Sequence, residues 1–451
     1  MNFMSQQLQI FLCLPPRSSL RATYTLSEGT YYWRLRAKDL ANNLSGWSSV
    51  WSVQVDTTPP IATTLSSPLD GLTTNYTEQT FNWTTVLDLG PGGLSHYKLE
   101  LSTMPSFVPL WYSSSVVSNT LTYNLINSST YYWRVFAVDR ANNFSTISAT
   151  FTIVIDTISP NVPTLIKPLN NMATNQTLIV FEYSSVDIGP AGIKDYTLEI
   201  STTSIFDVIW HSTITSSVFY STTLPQNIYW WRVRTSDHAG NYSLWSSTRR
   251  FVVDVSSPQI TTLVFPANDT RTNITSLTFQ WNSVSDIGPA GVEHYELQIS
   301  TDSNFGIINY SSVTLNIQAT QSLLEGRYYW RVKTKDFAGN YSVSTSSEVT
   351  VDTTPPHIVD NQPGDDVWYQ AATAVYNVDF FDRPSVNGAG LDYAEYIVYS
   401  STNPDGTQAG QALTSWQKIF DLSLPSRTTY YTDNWDISPV WDSLQQGYNF
   451  V

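Results

Sequence analysis

A short aromatic motif recurs four times along this chain and constrains its fold more than any other feature. It reads YYWRLRAKD from Tyr31, YYWRVFAVD from Tyr131, YWWRVRTSD from Tyr229 and YYWRVKTKD from Tyr328. Its tryptophan falls at Trp33, Trp133, Trp231 and Trp330, a period of roughly 99 residues. A second marker follows each copy, at Asp56 (DTTPP), Asp156 (DTISP), Asp254 (DVSSP) and Asp352 (DTTPP). Proline there blocks continued strand pairing and stiffens the chain, so these segments are expected to be linkers. A third marker, DLGPGG or DIGPAG, starts at Asp88, Asp187 and Asp286, where Gly and Pro punctuate a turn.

Between the markers, apolar residues alternate with period two, the signal of a half-buried strand. Phe81 and Trp83 share one face, as do Phe181 with Tyr183 and Phe279 with Trp281. Tyr97, Leu99 and Leu101 form another such set, repeated at Tyr196, Leu198, Ile200 and at Tyr295, Leu297, Ile299. In the motif itself Tyr131, Trp133, Val135 and Ala137 alternate, and Phe151, Ile153 and Ile155 follow. Several such strands per repeat, separated by turn signals and without a sustained helical period, predict an all-β chain of tandem antiparallel sandwiches.

On these residues each repeat resembles a fibronectin type III domain. The inward tryptophan of the second strand is matched by Trp83 and Trp281, with Tyr183 in its place in the middle repeat. The inward tyrosine of the third strand is matched by Tyr97, Tyr196 and Tyr295. The sixth strand is matched by the recurring motif and its Gly/Asn turn, with Thr replacing Ala in two copies. The linkers look most like those of bacterial surface and secreted proteins. The resemblance runs from about residue 20 to 353 and implies tandem immunoglobulin-like sandwiches strung in a rod.

The expected organisation is five segments. Residues 1–56 hold the C-terminal strands of an incomplete module. Complete modules span 57–156, 157–254 and 255–352. Residues 353–451 form a divergent sandwich without the motif, ending in QGYNFV like the opening of a sixth strand. Both ends thus read as cut, and the chain reads as part of a longer repeat protein whose neighbouring modules are its partners. The run LQIFLCL (Leu8 to Leu14) has the length of a signal-peptide core, but MNFMSQQ before it lacks positive charge. Met1 is therefore not expected to be the natural start.

Net charge is −15 with an isoelectric point near 4.6, which argues against nucleic acid as a partner. Cys13 is the single cysteine, so no intrachain disulfide exists and each module must rely on burial. No stretch approaches the ~20 apolar residues of a membrane helix. The five histidines (His96, His211, His238, His294, His357) show no metal-ligand spacing, and Asp365–Asp366 sits in a turn-like stretch. With no nucleophile elbow or phosphate loop either, no catalytic residue, cofactor site or metal site is assigned.

Calcium is the weak exception. Asp39, Asp139, Asp237 and Asp336 precede Asn43, Asn143, Asn241 and Asn340, and Asp and Asn oxygens suit Ca²⁺. The plainer reading is that each pair shapes a turn by bonding nearby backbone. The outward residues of the motif form a stripe: Tyr32, Arg34, Tyr132, Arg134, Trp230, Arg232, Tyr329 and Arg331. It could face a protein or glycan ligand. Its expected structural role is cross-strand pairing at the surface, as Glu100–Arg134, Glu199–Arg232 and Gln298–Arg331. Eleven Asn-x-Ser/Thr sites, Asn75, Asn82, Asn127 and Asn143 among them, matter only in a glycosylating pathway. The expected function is a non-enzymatic structural or adhesive stalk of a larger extracellular protein. The alternative is a glycan-binding or accessory array of a secreted polysaccharide-degrading enzyme.

Overall fold

The structure is a computed structural model that describes residues 25–126, 128–361, 375–382, 389–401, 409–421, 430–436 and 448–450. Cys13, the Leu8–Leu14 run, Asn127 and Asp365–Asp366 lie outside the described residues. All regular elements among the described residues are strands. The chain divides into two compact units. One comprises residues 1–170, 180–222 and 229–250, and the other 171–179, 223–228 and 251–451.

In the first unit, β1 (Gly29–Trp33) pairs antiparallel with β2 (Trp51–Val55). Trp33 stacks on Trp51 with ring centroids 5.8 Å apart. A complete sandwich follows. Strands β3 (Leu65–Ser67), β4 (Leu72–Thr74), β5 (Glu78–Trp83), β6 (Leu94–Ser102), β7 (Tyr112–Val116), β8 (Thr120–Asn124), β9 (Ser129–Asp139) and β10 (Phe151–Ile155) form two sheets. One has the order β3-β5-β8 and the other β4-β10-β9-β6-β7. All pairings are antiparallel except β4 with β10, which run parallel.

The alternation of the sequence sets the faces. Phe81 and Trp83 from β5 meet Tyr97, Leu99 and Leu101 from β6, Tyr131, Trp133, Val135 and Ala137 from β9, and Ile153 and Ile155 from β10. Trp133 takes the edge of Phe81 at 5.0 Å and of Phe151 at 5.8 Å, the T-shaped arrangement that the ring quadrupole favours. After β9 the chain leaves the sheet, and serines replace the ladder there. Ser145 Oγ accepts from Ala137 N and Ser148 Oγ from Val135 N, both at 3.0 Å. Those bonds satisfy buried main-chain donors where no strand pairs.

The second unit holds the same sandwich. Its sheets are Leu263–Phe265, Ser276–Trp281 and Gln318–Ser322 in that order, against Thr270–Thr272, Ser347–Val351, Gly326–Asp336, Val292–Ser300 and Tyr310–Thr314. Its core gathers Phe279, Trp281, Tyr295, Leu297, Ile299, Tyr328, Trp330 and Val332. Further on, Phe380, Leu391, Ala394 and Phe420 make a smaller core, with Tyr431 stacked on Phe420 at 4.1 Å. Tyr448–Phe450 pairs antiparallel with Tyr399–Ser401.

Candidate functional site

Two kinds of polar cluster recur with the motif. The first sits on the outer face of the larger sheet. Strand register places Glu100 opposite Arg134, Glu199 opposite Arg232 and Gln298 opposite Arg331. Arg134 donates through Nε to Glu100 at 2.9 Å, and its Nη2 lies 2.8 Å from the same oxygen. Arg232 holds Glu199 at 2.9 and 2.7 Å, and Arg331 donates to Gln298 Oε1 at 2.8 Å.

These pairs are not the exposed surface contacts that strand alternation alone implies. Glu100 is only 6 % exposed and Gln298 9 %. A loop phenylalanine covers each one. The guanidinium of Arg134 lies 3.8 Å from the ring centroid of Phe107, that of Arg232 4.1 Å from Phe206, and that of Arg331 4.1 Å from Phe305. All three phenylalanines adopt left-handed backbone, with φ of 56°, 58° and 57°. A non-glycine residue there costs of order 1–3 kcal/mol, so the turn is held by what its side chain packs on. Burial pushes the Glu100 carboxyl up, but the Lys98 and Arg134 cations outweigh it and hold it below the usual range. Of the aromatic members of the stripe, Tyr132, Trp230 and Tyr329 are half-buried and Tyr32 is 45 % exposed. Arg34 lies 4.1 Å over the Trp47 ring.

The second cluster joins the three sequence markers. Asp56 of the linker, Asp88 of the β5–β6 turn and Asp139 at the end of β9 each bring a carboxylate oxygen within 4.8 Å of the others. Asp156, Asp187 and Asp237 repeat the arrangement, as do Asp254, Asp286 and Asp336. Main-chain donors at glycine turns make this possible. Gly92 N donates to Asp56 at 2.8 Å, Ala191 N to Asp156 at 2.9 Å and Ala290 N to Asp254 at 2.8 Å. A Cβ at Gly90, Gly189 or Gly288 would overlap the linker carboxylate, which explains glycine at the same place in each marker. Burial, together with the charges of Asp254 and Asp336, pushes Asp286 above the usual carboxylate range despite two main-chain donors.

The asparagines expected to share a cation with the motif aspartates act as donors instead. Asn143 gives its N and Nδ2 to the two oxygens of Asp139, both at 2.8 Å. Asn43, Asn241 and Asn340 do the same for Asp39, Asp237 and Asp336. Asn143 Nδ2 also reaches the Asp56 carbonyl at 3.1 Å, Asn241 Nδ2 that of Asp156 at 2.8 Å, and Asn340 Nδ2 that of Asp254 at 2.9 Å. After Asp352 only part of the cluster is described. There Ala389 N donates to Asp352 at 2.6 Å and Gly390 N to Asp382 at 2.5 Å.

No protein-family model matches the chain. It is 24 % identical over 408 residues to Exoglucanase B of Cellulomonas fimi, covering 85 % of this chain and 34 % of that protein. The chain thus spans about a third of the length of this curated relative. Among solved structures, domains FN1–FN3 of chicken CNTN1 share 14 % identity over 65 % of this chain and 98 % of theirs, with a TM-score of 0.27. The fibronectin(III)-like modules of Clostridium thermocellum CbhA share 14 % identity over 42 % of this chain and 94 % of theirs, with a TM-score of 0.29. A three-stranded sheet faces a larger one in which the third strand lies beside the sixth, and the chain accordingly has the fold of tandem antiparallel β-sandwiches, fibronectin type III-like in strand order.

Proposed function

We propose that this chain is a non-catalytic spacer segment of a larger extracellular protein, built from modules at 57–156, 157–254 and 255–352 with partial modules at 1–56 and 353–451. One observation carries the reading. Among the described residues three of the four linkers are fastened to the module after them by the same asparagine, through Asn143 to Asp56, Asn241 to Asp156 and Asn340 to Asp254. A flexible tether has no use for that bond, whereas a spacer that must hold separation does.

Asn241→Ala removes donors to Asp237 and Asp156 together. The main-chain donor remains, so the expected cost is about 1–2 kcal/mol, all of it local to the linker. Limited proteolysis is expected to cut near residues 156–160 roughly ten-fold faster in the variant. Unchanged cleavage would remove the argument for a fastened linker.

The similarity to Exoglucanase B favours a second reading, in which the array is an accessory of a secreted polysaccharide-degrading enzyme. The stripe of Tyr132, Arg134, Trp230, Arg232, Tyr329 and Arg331, with Tyr32 and Arg34, is then the candidate glycan or protein contact. Incubating the chain with insoluble cellulose and other polysaccharides separates the readings. The spacer predicts neither retention nor release of reducing sugar. Retention that disappears on Tyr132→Ala or Tyr329→Ala establishes the accessory reading, and sugar release overturns both.

A further inference from the structure

Two of the carboxylate clusters carry an inference independent of the spacer reading. In the first, Asp56 Oδ1 accepts from Thr58 N at 3.0 Å and Oδ2 from Gly92 N at 2.8 Å. Both Asp139 oxygens accept from Asn143, and Asp88 Oδ1 accepts from Gly90 N at 3.1 Å. This leaves Asp88 Oδ2, fully buried and without a hydrogen-bond partner. The second cluster repeats the pattern. Asp156 is satisfied by Ile158 N and Ala191 N, Asp237 by Asn241, and Asp187 Oδ1 by Gly189 N at 3.0 Å. Asp187 Oδ2 is the atom left buried and unpartnered.

An anionic oxygen out of water with no donor is unfavourable, and two more carboxylates within 4.8 Å make it worse. Among the described residues no Lys, Arg or His forms an ion pair with any of these six aspartates. The missing partner must bring concentrated positive charge and accept several oxygens. We propose that Asp56, Asp88 and Asp139 form one calcium site and Asp156, Asp187 and Asp237 a second.

The donor set selects the metal. Every ligand atom is a carboxylate oxygen, with no imidazole or thiolate to favour zinc or copper. Three carboxylates from separate loops suit calcium, which takes irregular shells of six to eight oxygens, better than magnesium, which demands near-ideal octahedra. Water completes the shell. The third cluster lacks the orphan oxygen, because Gly291 N donates to Asp286 Oδ2 at 2.8 Å, and it stands outside the proposal. Each cation joins the linker, the Gly-Pro turn and the end of the motif strand, so it reinforces the fastening made by Asn143 or Asn241. Affinity is expected in the range of extracellular modules, roughly 10⁻⁴–10⁻³ M.

The test is titration calorimetry of calcium chloride into the EDTA-stripped full chain, with thermal unfolding followed in parallel. Two sites per chain are expected, with a rise in unfolding midpoint of roughly 5–10 °C at 10 mM calcium. Asp88→Asn removes one site, Asp187→Asn the other, and the double variant binds none while keeping its near-ultraviolet circular dichroism. Absence of both heat and midpoint shift in the wild type overturns the proposal. So does unchanged stoichiometry in a folded double variant, and equal heats from magnesium overturn the assignment to calcium. Should a variant lose its fold, terbium luminescence on the wild type decides: quenching by calcium supports the sites, and no quenching overturns them.

Discussion

Trp133→Ala is expected to unfold the sandwich built from β3 to β10 at temperatures where the other sandwiches remain folded. Trp133 is fully buried between the two sheets, with Phe81 and Phe151 edge-on to its ring. Removing so large a side chain costs about 3–5 kcal/mol through lost transfer energy and the cavity left behind. A module of this size has about 5–15 kcal/mol in total. Nothing covalent supports it, since the only cysteine is Cys13. Calorimetry should therefore show one transition shifted down by well over 10 °C and the rest unmoved. The same substitution at Trp330 should shift a different transition. If all transitions move together, the modules do not unfold independently.

That expectation draws on the part of the molecule most legible in the sequence. The pleat of a strand forces side chains to alternate, so the period of Tyr131, Trp133, Val135 and Ala137 named the core directly. The neighbouring of β6 and β9 came from family resemblance, and it placed Arg134 opposite Glu100. What alternation could not reveal is what lies above a strand's outer face. Phe107 sits in a loop with no period, and its left-handed backbone folds it over Arg134. A pair that would be a solvated surface contact is thereby buried.

The aspartate clusters were hidden for a different reason. Asp56, Asp88 and Asp139 are far apart in the chain, and each has a sufficient local explanation as linker, turn or strand end. Only the fold brings them within 4.8 Å. The available signal was that all three markers keep an aspartate through three repeats, although a turn needs none. Where the divergent region departs from the motif, the Asp352–Ala389 and Asp382–Gly390 bonds still keep part of the pattern.

Arg134→Ala is expected to destabilise the same module by about 2–3 kcal/mol, measured by urea unfolding. Removing one member of a buried ion pair costs 3–5 kcal/mol when nothing replaces it. Here the figure is reduced because Arg134 is a quarter exposed and Lys98 Nζ still holds Glu100 at 2.9 Å. Glu100→Gln should cost less than 1 kcal/mol, because the chain already uses that solution at Gln298–Arg331 with the Arg–Phe stack intact. The two variants also differ in pH dependence. Lys98 and Arg134 hold the folded Glu100 pKa below its ordinary value, so the pair stabilises the module above the usual carboxylate range. That contribution is lost as pH falls through the depressed folded value. The gap between wild type and Glu100→Gln should therefore begin to narrow below about pH 4, the ordinary carboxylate range, and vanish below the depressed folded value. In Arg134→Ala burial is opposed by Lys98 alone, the folded pKa rises relative to the wild type, and protonation of Glu100 as the pH falls relieves part of the deficit. A gap to Arg134→Ala that stays constant from pH 7 to pH 3 would mean that Arg134 acts through its stack on Phe107, not through its charge.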